Sequence, residues 1–401
     1  MSLSMDCYSD SFSRLATTNL KQNNSTSLEG KIVTDHLFVN NVRFLSMAAV
    51  IGLHTISGYG TVLNRNSMPQ IFYYLIGPLK FGTIGFFLAA GFLFGERVDQ
   101  TSPLRYFLRR LRNVFLPWCV WLSLWCSRRF FIDLSQGRQI DLPYVIDLYK
   151  VRALASAYWF VPNLIIALAI LLICRRFLHD VRIGLVFLAA TFFYSANIYG
   201  HWIAVVHSKA VFGFIFYLWL GAWSAWHFPD VERFIAKISA PIMIGLTLTA
   251  LGFAIAESRL LMALGSVDPV NTLRLSNQIY SLMFVLAILK LKHAMWPRFV
   301  DVRKHTYGLY LLHTIVLGFF CLKLQPILLP LGAAPWWIIG TVTLLLIPAL
   351  FASVYGISLL LVRILLRFPM LRWMVGIQTR KQPIKAERSP QFALVTVPRQ
   401  P

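Results

Sequence analysis

Long apolar segments recur along almost the whole chain, and most polar residues lie between them or at the two ends. A helix rises 1.5 Å per residue, so an apolar segment of about twenty residues crosses about 30 Å of hydrocarbon. The pattern therefore predicts an all-α, polytopic transmembrane helical bundle with about ten spans. The predicted spans are residues 37–58, 70–95, 107–127, 156–174, 182–200, 210–228, 238–256, 276–292, 306–331 and 335–362.

Composition agrees with a membrane protein. The chain is 57% hydrophobic and only 13% charged, whereas soluble domains are roughly 25% charged. Its net charge of +22 would favour nucleic-acid binding in a soluble protein. Membrane proteins, however, collect Lys and Arg on their cytoplasmic loops for topological reasons. We therefore predict that membrane lipid surrounds the protein and that nucleic acid is not a partner.

The placement of the basic residues predicts the topology. Lys and Arg are concentrated at both ends of the chain and in the loops that would share their side of the membrane, so we predict that both termini are cytoplasmic. Residues 1–34 are polar and lack the apolar region of a signal peptide. We predict a disordered tail over 1–34, a transmembrane domain over 35–372 and a basic cytoplasmic tail over 373–401.

The predicted outer segment 128–155 carries an unusual amount of charge, with five basic residues and three aspartates. Long polar loops outside the membrane often face a substrate. A solvated loop of mixed charge gives the same pattern. Both interpretations stay open at this point.

Two ionisable residues lie inside the first predicted span. Arg43 and His54 are eleven residues apart, which is three helical turns plus about 20°, so they share one face of the helix and are separated by roughly 16 Å along its axis. Ionisable side chains are costly inside a membrane and tend to be functional. The alternative is an Arg that snorkels to the interface beside a packed His.

Four motifs resemble the membrane-bound acyltransferase-3 family when taken in order. The first is the Arg-x10-His pattern of Arg43 and His54, and the second is FGTIGFFLAAGFLFGER at 81–97. The third is the basic YFLRRLRNVFLPW at 106–118, and the fourth is HTYGLYLLHTIVL at 305–317. Two positions depart from the family pattern: Asn40 stands where the family usually has an acidic residue, and Ala90 replaces a usual Ser.

The resemblance implies an integral inner-membrane O-acyltransferase that modifies extracytoplasmic carbohydrate. It implies acetyl-CoA as a co-substrate, with no bound cofactor and with a carbohydrate hydroxyl as acceptor. A rival interpretation from another class is a secondary transporter or flippase that uses Arg43 and His54 as an ion or proton-coupled site. The enzymatic interpretation requires these two groups to face a common cavity inside the bundle.

His54 and Arg43 are the predicted catalytic residues. A neutral imidazole suits a general base that takes the proton of the acceptor hydroxyl, and an acyl-imidazole intermediate on His54 fits equally well. Arg43 suits a phosphate or an acyl carbonyl and would hold the cytoplasmic end of acyl-CoA. The further donor-binding candidates are Asn40, Arg109, Arg110 and Arg112, although a positive-inside helix entry explains the arginines without a ligand.

The candidates for acceptor binding or support are mostly aromatic. Tyr158 and Trp159 are predicted at the outer surface, where they would stack on a sugar or belong to an aromatic belt. His313 is a second polar group of the site or an interhelical hydrogen-bond donor. The complete set is Phe86, Phe87, Tyr158, Trp159, Tyr310 and His313.

We predict no metal site. His201 and His207 lie in a short outer loop and are too close together for a recognised metal pattern. The five cysteines contain no CxxC pair, and four of them lie in or beside apolar segments. They are therefore interpreted as inert buried thiols.

Overall fold

The computed structural model describes residues 37–63, 70–330 and 334–378, and in these ranges the regular secondary structure is helical, without strands. The first seven helices are α1 (Leu37–Leu63), α2 (Gln70–Ile76), α3 (Phe81–Gly95), α4 (Pro103–Arg110), α5 (Leu116–Ser135), α6 (Leu142–Leu154) and α7 (Phe160–Ile173). The others are α8 (Val181–Gly200), α9 (Ile215–Trp226), α10 (Phe228–Lys237), α11 (Ala240–Ala263), α12 (Leu275–Leu289), α13 (Val302–Leu328) and α14 (Trp336–Arg367).

Helices coincide with the predicted spans, so the prediction of an all-α transmembrane bundle is confirmed, with its span count approximate. Six helices are long and apolar enough to cross a membrane alone, and two bent pairs raise this number to eight in the described residues. The eighth predicted span is α12, which has only 15 residues. The third predicted span is divided among α4, a π-helical segment at Leu111–Phe115 and α5. The chain is a multi-pass membrane protein.

Sharp bends stand at the start of the predicted span 156–174 and at the end of the predicted span 210–228. Between α6 and α7 the axis turns by 79°, and the Ser156 hydroxyl at this break accepts a hydrogen bond from the Tyr158 backbone N–H. Between α9 and α10 it turns by 90°, and Pro229 stands in the first turn of α10. Proline is favoured at a helix start because its missing N–H has no intrahelical partner there. Such breaks create irregular backbone, which membrane proteins place beside cavities or protein.

Glycines allow α3 and α9 to pack backbone against backbone. A Cβ atom added to Gly91 would lie 2.0 Å from the Leu218 carbonyl oxygen, and one added to Gly221 would lie 2.2 Å from the Leu88 carbonyl oxygen. Small residues are the usual means of close helix approach in membranes, where apolar burial gives little drive for helix association. α3 also packs against α12, and this places the second span in the centre of the bundle.

The second half of the core forms around α1, α13 and α14. α13 packs against α14 and α5, and the buried side chains of α1 continue the same apolar cluster. A hydrogen bond of 3.2 Å joins the Tyr59 and Thr343 hydroxyls across α1 and α14. The first helix therefore lies between both halves of the core, and its side chains reach interior spaces on either side.

Most of the segment 128–155 is helical, so it is not an irregular loop, and its predicted place outside the membrane stays a prediction. α5 continues to Ser135, and α6 begins at Leu142 behind Asp141, whose side chain accepts a hydrogen bond of 2.8 Å from the Tyr144 backbone N–H. Asp133 joins these two helices, because its carboxylate accepts hydrogen bonds from Arg129 at 2.8 Å and from the Tyr144 hydroxyl. The hydrogen bond from Tyr144 is the main cause that lowers the pKa of Asp133. We call this arrangement the Asp133 clamp.

The packed region continues past the predicted boundary at residue 372. A 3-10 turn at Arg372–Val375 follows α14, and the Met374 carbonyl accepts a hydrogen bond of 2.9 Å from the Trp121 indole. Val375 is buried against α13 and α14. The predicted N-terminal tail and residues 379–401 of the predicted C-terminal tail lie outside the described residues.

Candidate active site

Arg43 and His54 line two adjacent cavities inside the bundle. The His54 cavity has a volume of about 360 Å³ and is also lined by Lys80, Trp159, His207 and Asp268. The Arg43 cavity has a volume of about 170 Å³, and Arg110 lies in its lining. Both groups therefore face interior space. The expectation of one common cavity was wrong, so the cavity geometry alone does not support the enzymatic interpretation.

Three aromatic side chains separate the two cavities. Phe86, Phe160 and Tyr310 belong to both linings, and we call them the aromatic wall. The ring centroids of Phe86 and Phe160 are 5.9 Å apart, and those of Phe160 and Tyr310 are 5.8 Å apart. The Tyr310 hydroxyl is fixed by donating a hydrogen bond of 2.8 Å to the Ala157 carbonyl. Bulky residues of α3, α7 and α13 thus meet where the two cavities adjoin.

The His54 imidazole is free to bind a ligand. No group in the described part of the chain hydrogen-bonds to it, and its ring centroid lies 5.5 Å from that of His313. His313 is fully buried, and its Nδ1 donates to the Tyr310 carbonyl at 2.7 Å. This hydrogen bond fixes the tautomer and orientation of His313. His313 supports the ring of His54 and does not line either cavity.

The Arg43 cavity is suited to an anion. Its lining contains the guanidinium groups of Arg43 and Arg110 and, among the described residues, no carboxylate. Arg110 is held in place by the Tyr106 hydroxyl, which accepts a hydrogen bond of 2.9 Å from its Nη2. Guanidinium groups are chemically suited to phosphate oxygens.

The other predicted donor residues do not reach this cavity. Arg109 and Arg112 are exposed and point away from the lining, and Asn40 lines neither cavity. The neighbouring Asn41 instead has a structural role: its amide donates to the His293 carbonyl at 3.0 Å and accepts from the Met295 N–H at 2.8 Å. Asn41 thereby joins the start of α1 to the segment before α13.

Of the predicted acceptor residues, Trp159, Phe86 and Tyr310 line the His54 cavity, whereas Phe87 and Tyr158 do not. Phe87 is fully buried and stacks on Phe214 with centroids 5.0 Å apart. Tyr158 is 1% exposed, and its hydroxyl donates to the Leu311 carbonyl at 2.6 Å. Its predicted place at the outer surface was wrong, so it is not available to stack on a sugar.

The sequence interpretation missed a His–Asp pair in the His54 cavity. The Nδ1 atom of His207 lies 2.6 Å from Oδ2 of Asp268. Burial alone would raise the pKa of Asp268, but the charge and hydrogen bonds of His207 outweigh burial and lower that pKa to about 2. The carboxylate is therefore ionised at neutral pH. The two residues are 61 positions apart, so no local spacing pattern points to them.

The segments that carry this pair are firmly connected to the bundle. The Asn271 amide donates to the Val205 carbonyl at 2.7 Å and so joins the segment around Asp268 to the segment around His207. The Ser208 carbonyl accepts a hydrogen bond of 3.0 Å from Asn163 of α7. These bonds hold both side chains at the edge of the cavity.

Lys80 adds a positive charge to the same cavity and was also missed. It is 5% exposed, and the charge of Asp268 acts on its ammonium group. The sequence places it inside the predicted span 70–95, where ionisable residues tend to be functional, but no role was predicted for it.

Comparison with known families agrees with the order of the motifs. The sequence matches the acyltransferase-3 family, described as an acyltransferase domain, over residues 36–361. The chain belongs to this family. No curated protein and no solved structure matches it. The matched region contains the whole described part of α1 to α13, and with it both cavities, so the chain is a multi-pass membrane acyltransferase.

Proposed function

We propose that this acyltransferase moves an acetyl group from acetyl-CoA to a hydroxyl of a cell-surface or exported carbohydrate, and that it does so in the inner membrane with both termini in the cytoplasm. The observation that carries the proposal is the family match over residues 36–361, because Arg43 and His54 do not share the single cavity that the enzymatic interpretation required. The His54 imidazole, to which no described residue hydrogen-bonds, lines a cavity that shares the aromatic wall with the cavity lined by Arg43 and Arg110.

The Arg43 cavity is the proposed entry of the donor. Arg43 and Arg110 are suited to the phosphates of CoA, since guanidinium groups bind phosphate oxygens in a bidentate manner. The two catalytic candidates are roughly 16 Å apart along α1, a distance that the extended pantetheine arm can bridge. Since the aromatic wall lies between the cavities, the arm reaches His54 only when a wall side chain rotates away.

The His54 cavity is the proposed site of transfer to the acceptor. Its lining combines Trp159, which offers an aromatic face to a sugar ring, with the hydroxyl groups of Ser57 and Thr83. Carbohydrate sites need polar groups that orient hydroxyls beside a few aromatic surfaces. A carbohydrate acceptor therefore fits this cavity better than a purely apolar acceptor does.

His54 is the proposed catalytic residue. It takes either the proton of the acceptor hydroxyl or the acyl group itself. The ammonium of Lys80 lies in the same lining and suits the negative charge that develops on the carbonyl oxygen during acyl transfer. Both forms of the mechanism use the same cavity.

The test is acetyl transfer by the purified full chain in proteoliposomes, together with mass spectrometry of surface glycans from cells with and without the gene. We expect CoA release and O-acetylated glycan with the unaltered protein, and loss of both with His54→Ala. His201→Asn is the control, since His201 is exposed and has a positive φ of 53° that Asn tolerates. Movement of a solute without CoA release would instead support a transporter.

A further inference from the structure

The His54 cavity contains two imidazoles with different surroundings. His207 is bound through Nδ1 to a carboxylate, whereas no described residue hydrogen-bonds to His54. A general base works best when a third group holds its ring and tautomer, and a carboxylate on Nδ1 is the usual means. The cavity thus contains one imidazole prepared as a base and a second one that is not.

The Asp268 carboxylate determines which nitrogen of His207 is available. A carboxylate can only accept, so Nδ1 carries the hydrogen and Nε2 keeps a lone pair in the neutral ring. Among the described residues Nε2 has no hydrogen-bond partner. The Trp159 ring packs edge-on against the imidazole with centroids 5.3 Å apart. The ring is therefore fixed with its basic nitrogen unsatisfied at the cavity.

His54 has the better position to receive the acyl group. It follows Arg43 on the same face of α1 and lies in a cavity bounded by the aromatic wall, on the side from which the proposed donor arm arrives. His207 belongs to the segment 201–214, and Asp268 belongs to the segment 264–274. Both segments flank the His54 cavity, and neither contributes a lining residue to the Arg43 cavity.

We propose that His207, positioned by Asp268, is the general base that activates the acceptor hydroxyl, and that His54 holds the acyl group between two half-reactions. This inference rests on the proposed acyl-CoA-dependent function and divides its chemistry between the two histidines. His207 is a catalytic residue in this scheme because it touches the acceptor. Asp268 is a positioning residue.

The two half-reactions balance in atoms and protons. In the first, a His54 nitrogen attacks the thioester carbonyl, the C–S bond breaks, and the imidazole proton leaves with the CoA thiolate as CoA thiol. In the second, the acceptor hydroxyl gives its proton to Nε2 of His207 while its oxygen attacks the acyl carbon. The bond from the acyl carbon to the His54 nitrogen then breaks, and the proton passes from His207 to the released imidazole. Both histidines are neutral again.

The two half-reactions can be measured separately with the full chain in detergent or proteoliposomes. The test variant is His207→Asn, because the Asn amide can still donate to Asp268 although the Nε2 atom is gone. With radiolabelled acetyl-CoA we expect this variant to release CoA and to retain one acetyl group per protein, and to transfer that group to acceptors at least 100-fold more slowly. His54→Ala should form no labelled protein.

Acceptors of different acidity provide a measurement that a merely structural role of His207 would not change. Ethanol and trifluoroethanol are the probes, and ester formation from the labelled protein is counted. An acidic alcohol needs less help from a base, so trifluoroethanol should restore transfer in His207→Asn much more than ethanol does. The unaltered protein should discriminate less between the two alcohols. Asp268→Asn should show a smaller loss of the transfer rate, which trifluoroethanol should again restore more than ethanol.

The controls separate this inference from the proposed function. His201→Asn, in the same segment, should behave like the unaltered protein. If the unaltered protein neither consumes acetyl-CoA nor becomes labelled, the proposed function itself fails. If the unaltered protein works but His207→Asn transfers at the normal rate, or elutes as a folded protein that is not labelled, the assignment of His207 is overturned. Equal losses with both alcohols would also overturn it.

Discussion

Arg109 and Arg110 are adjacent in α4 but have different surroundings, and this difference makes them a matched pair. Arg110 lines the Arg43 cavity, whereas Arg109 is exposed. We expect Arg110→Gln to raise the KM for acetyl-CoA by about tenfold with little change in kcat, because one charged phosphate contact is worth roughly 1.5–3 kcal/mol. Arg109→Gln should leave KM unchanged. Initial rates of CoA release check both variants, and equal effects would contradict the assignment of the donor cavity.

Lys80 provides a second test at the scale of single residues. Its ammonium lies in the His54 cavity, where it suits the oxyanion of the transition state. Loss of one oxyanion partner typically lowers kcat by about 10²-fold, and we expect this for Lys80→Met with little change in the KM for acetyl-CoA. The matched control is Lys209→Met at an exposed position. Normal turnover by Lys80→Met would exclude this role.

The sequence could identify the residues of α1 but not their partners in the site. Arg43 and His54 stand out because ionisable residues are rare inside apolar segments. His207 and Asp268 lie in polar connections, where such residues are common, and only the fold brings them within 2.6 Å of each other. The sequence could not predict the aromatic wall for a similar reason. Phe86 and Tyr310 were named as candidates, but their meeting across two cavities depends on three helices at once.

Helix packing makes a prediction at the scale of whole elements. A side chain at Gly91 would collide with the backbone of α9, and backbone cannot move aside as a flexible side chain can. We expect Gly91→Ala to destabilise the protein by at least the 1–3 kcal/mol that is typical of overpacking. Gly252→Ala in α11 is the control, because a Cβ there meets open space. Thermal unfolding in detergent, followed by tryptophan fluorescence, distinguishes the two variants. An unchanged Tm for Gly91→Ala would contradict the close contact.

The Asp133 clamp predicts a pH dependence of the connection between α5 and α6. The pKa of Asp133 is lowered, mainly by the Tyr144 hydroxyl. A carboxyl of this kind stabilises the folded state above its unfolded pKa, near 4, and this stabilisation is lost as the pH falls through the lower folded value. The protection factors of residues 129–145, which correct hydrogen exchange for its intrinsic pH dependence, should therefore be high at neutral pH and lower below about pH 4. Asp133→Asn should already exchange faster at neutral pH, and Asp147→Asn, at an exposed position of α6, should not.

Apolar periodicity predicted the helices well, whereas their bends and ends depended on tertiary contacts. The predicted span 210–228 ends close to the end of α9, but its pattern did not predict that α10 follows at once with a turn of 90°. The polar segment 128–155 has the sequence pattern of a loop. It nevertheless forms the end of α5 and the whole of α6, which the Asp133 clamp and the cap at Asp141 stabilise. Charge and capping interactions across a turn decide these cases, and a sliding measure of hydrophobicity does not include them.

At the scale of the whole molecule, the two cavities lie at different levels along α1. The Arg43 cavity is lined by Arg43 and by Tyr310 of α13, and the His54 cavity is lined by residues 50–57 of α1, by the same Tyr310 and by parts of the segments 201–214 and 264–274. Under the proposed topology, with both termini in the cytoplasm, the proposed donor cavity would face the cytoplasm and the proposed acceptor cavity would face outward. In this proposal the acyl group crosses the membrane by passing the aromatic wall, and the donor and the acceptor need never meet on one side.

This arrangement predicts a strict sidedness of the reaction. Acetyl-CoA does not cross a bilayer, so inverted membrane vesicles, which expose the cytoplasmic face, should release CoA and label carbohydrate inside the vesicle. Right-side-out vesicles should be inactive until they are permeabilised. Arg110→Gln should lower the activity of inverted vesicles at low acetyl-CoA concentration. The activity should recover at high acetyl-CoA concentration, since only donor binding is affected. Consumption of acetyl-CoA by intact right-side-out vesicles would show that the donor enters through the His54 cavity, and would reverse the assignment of both cavities.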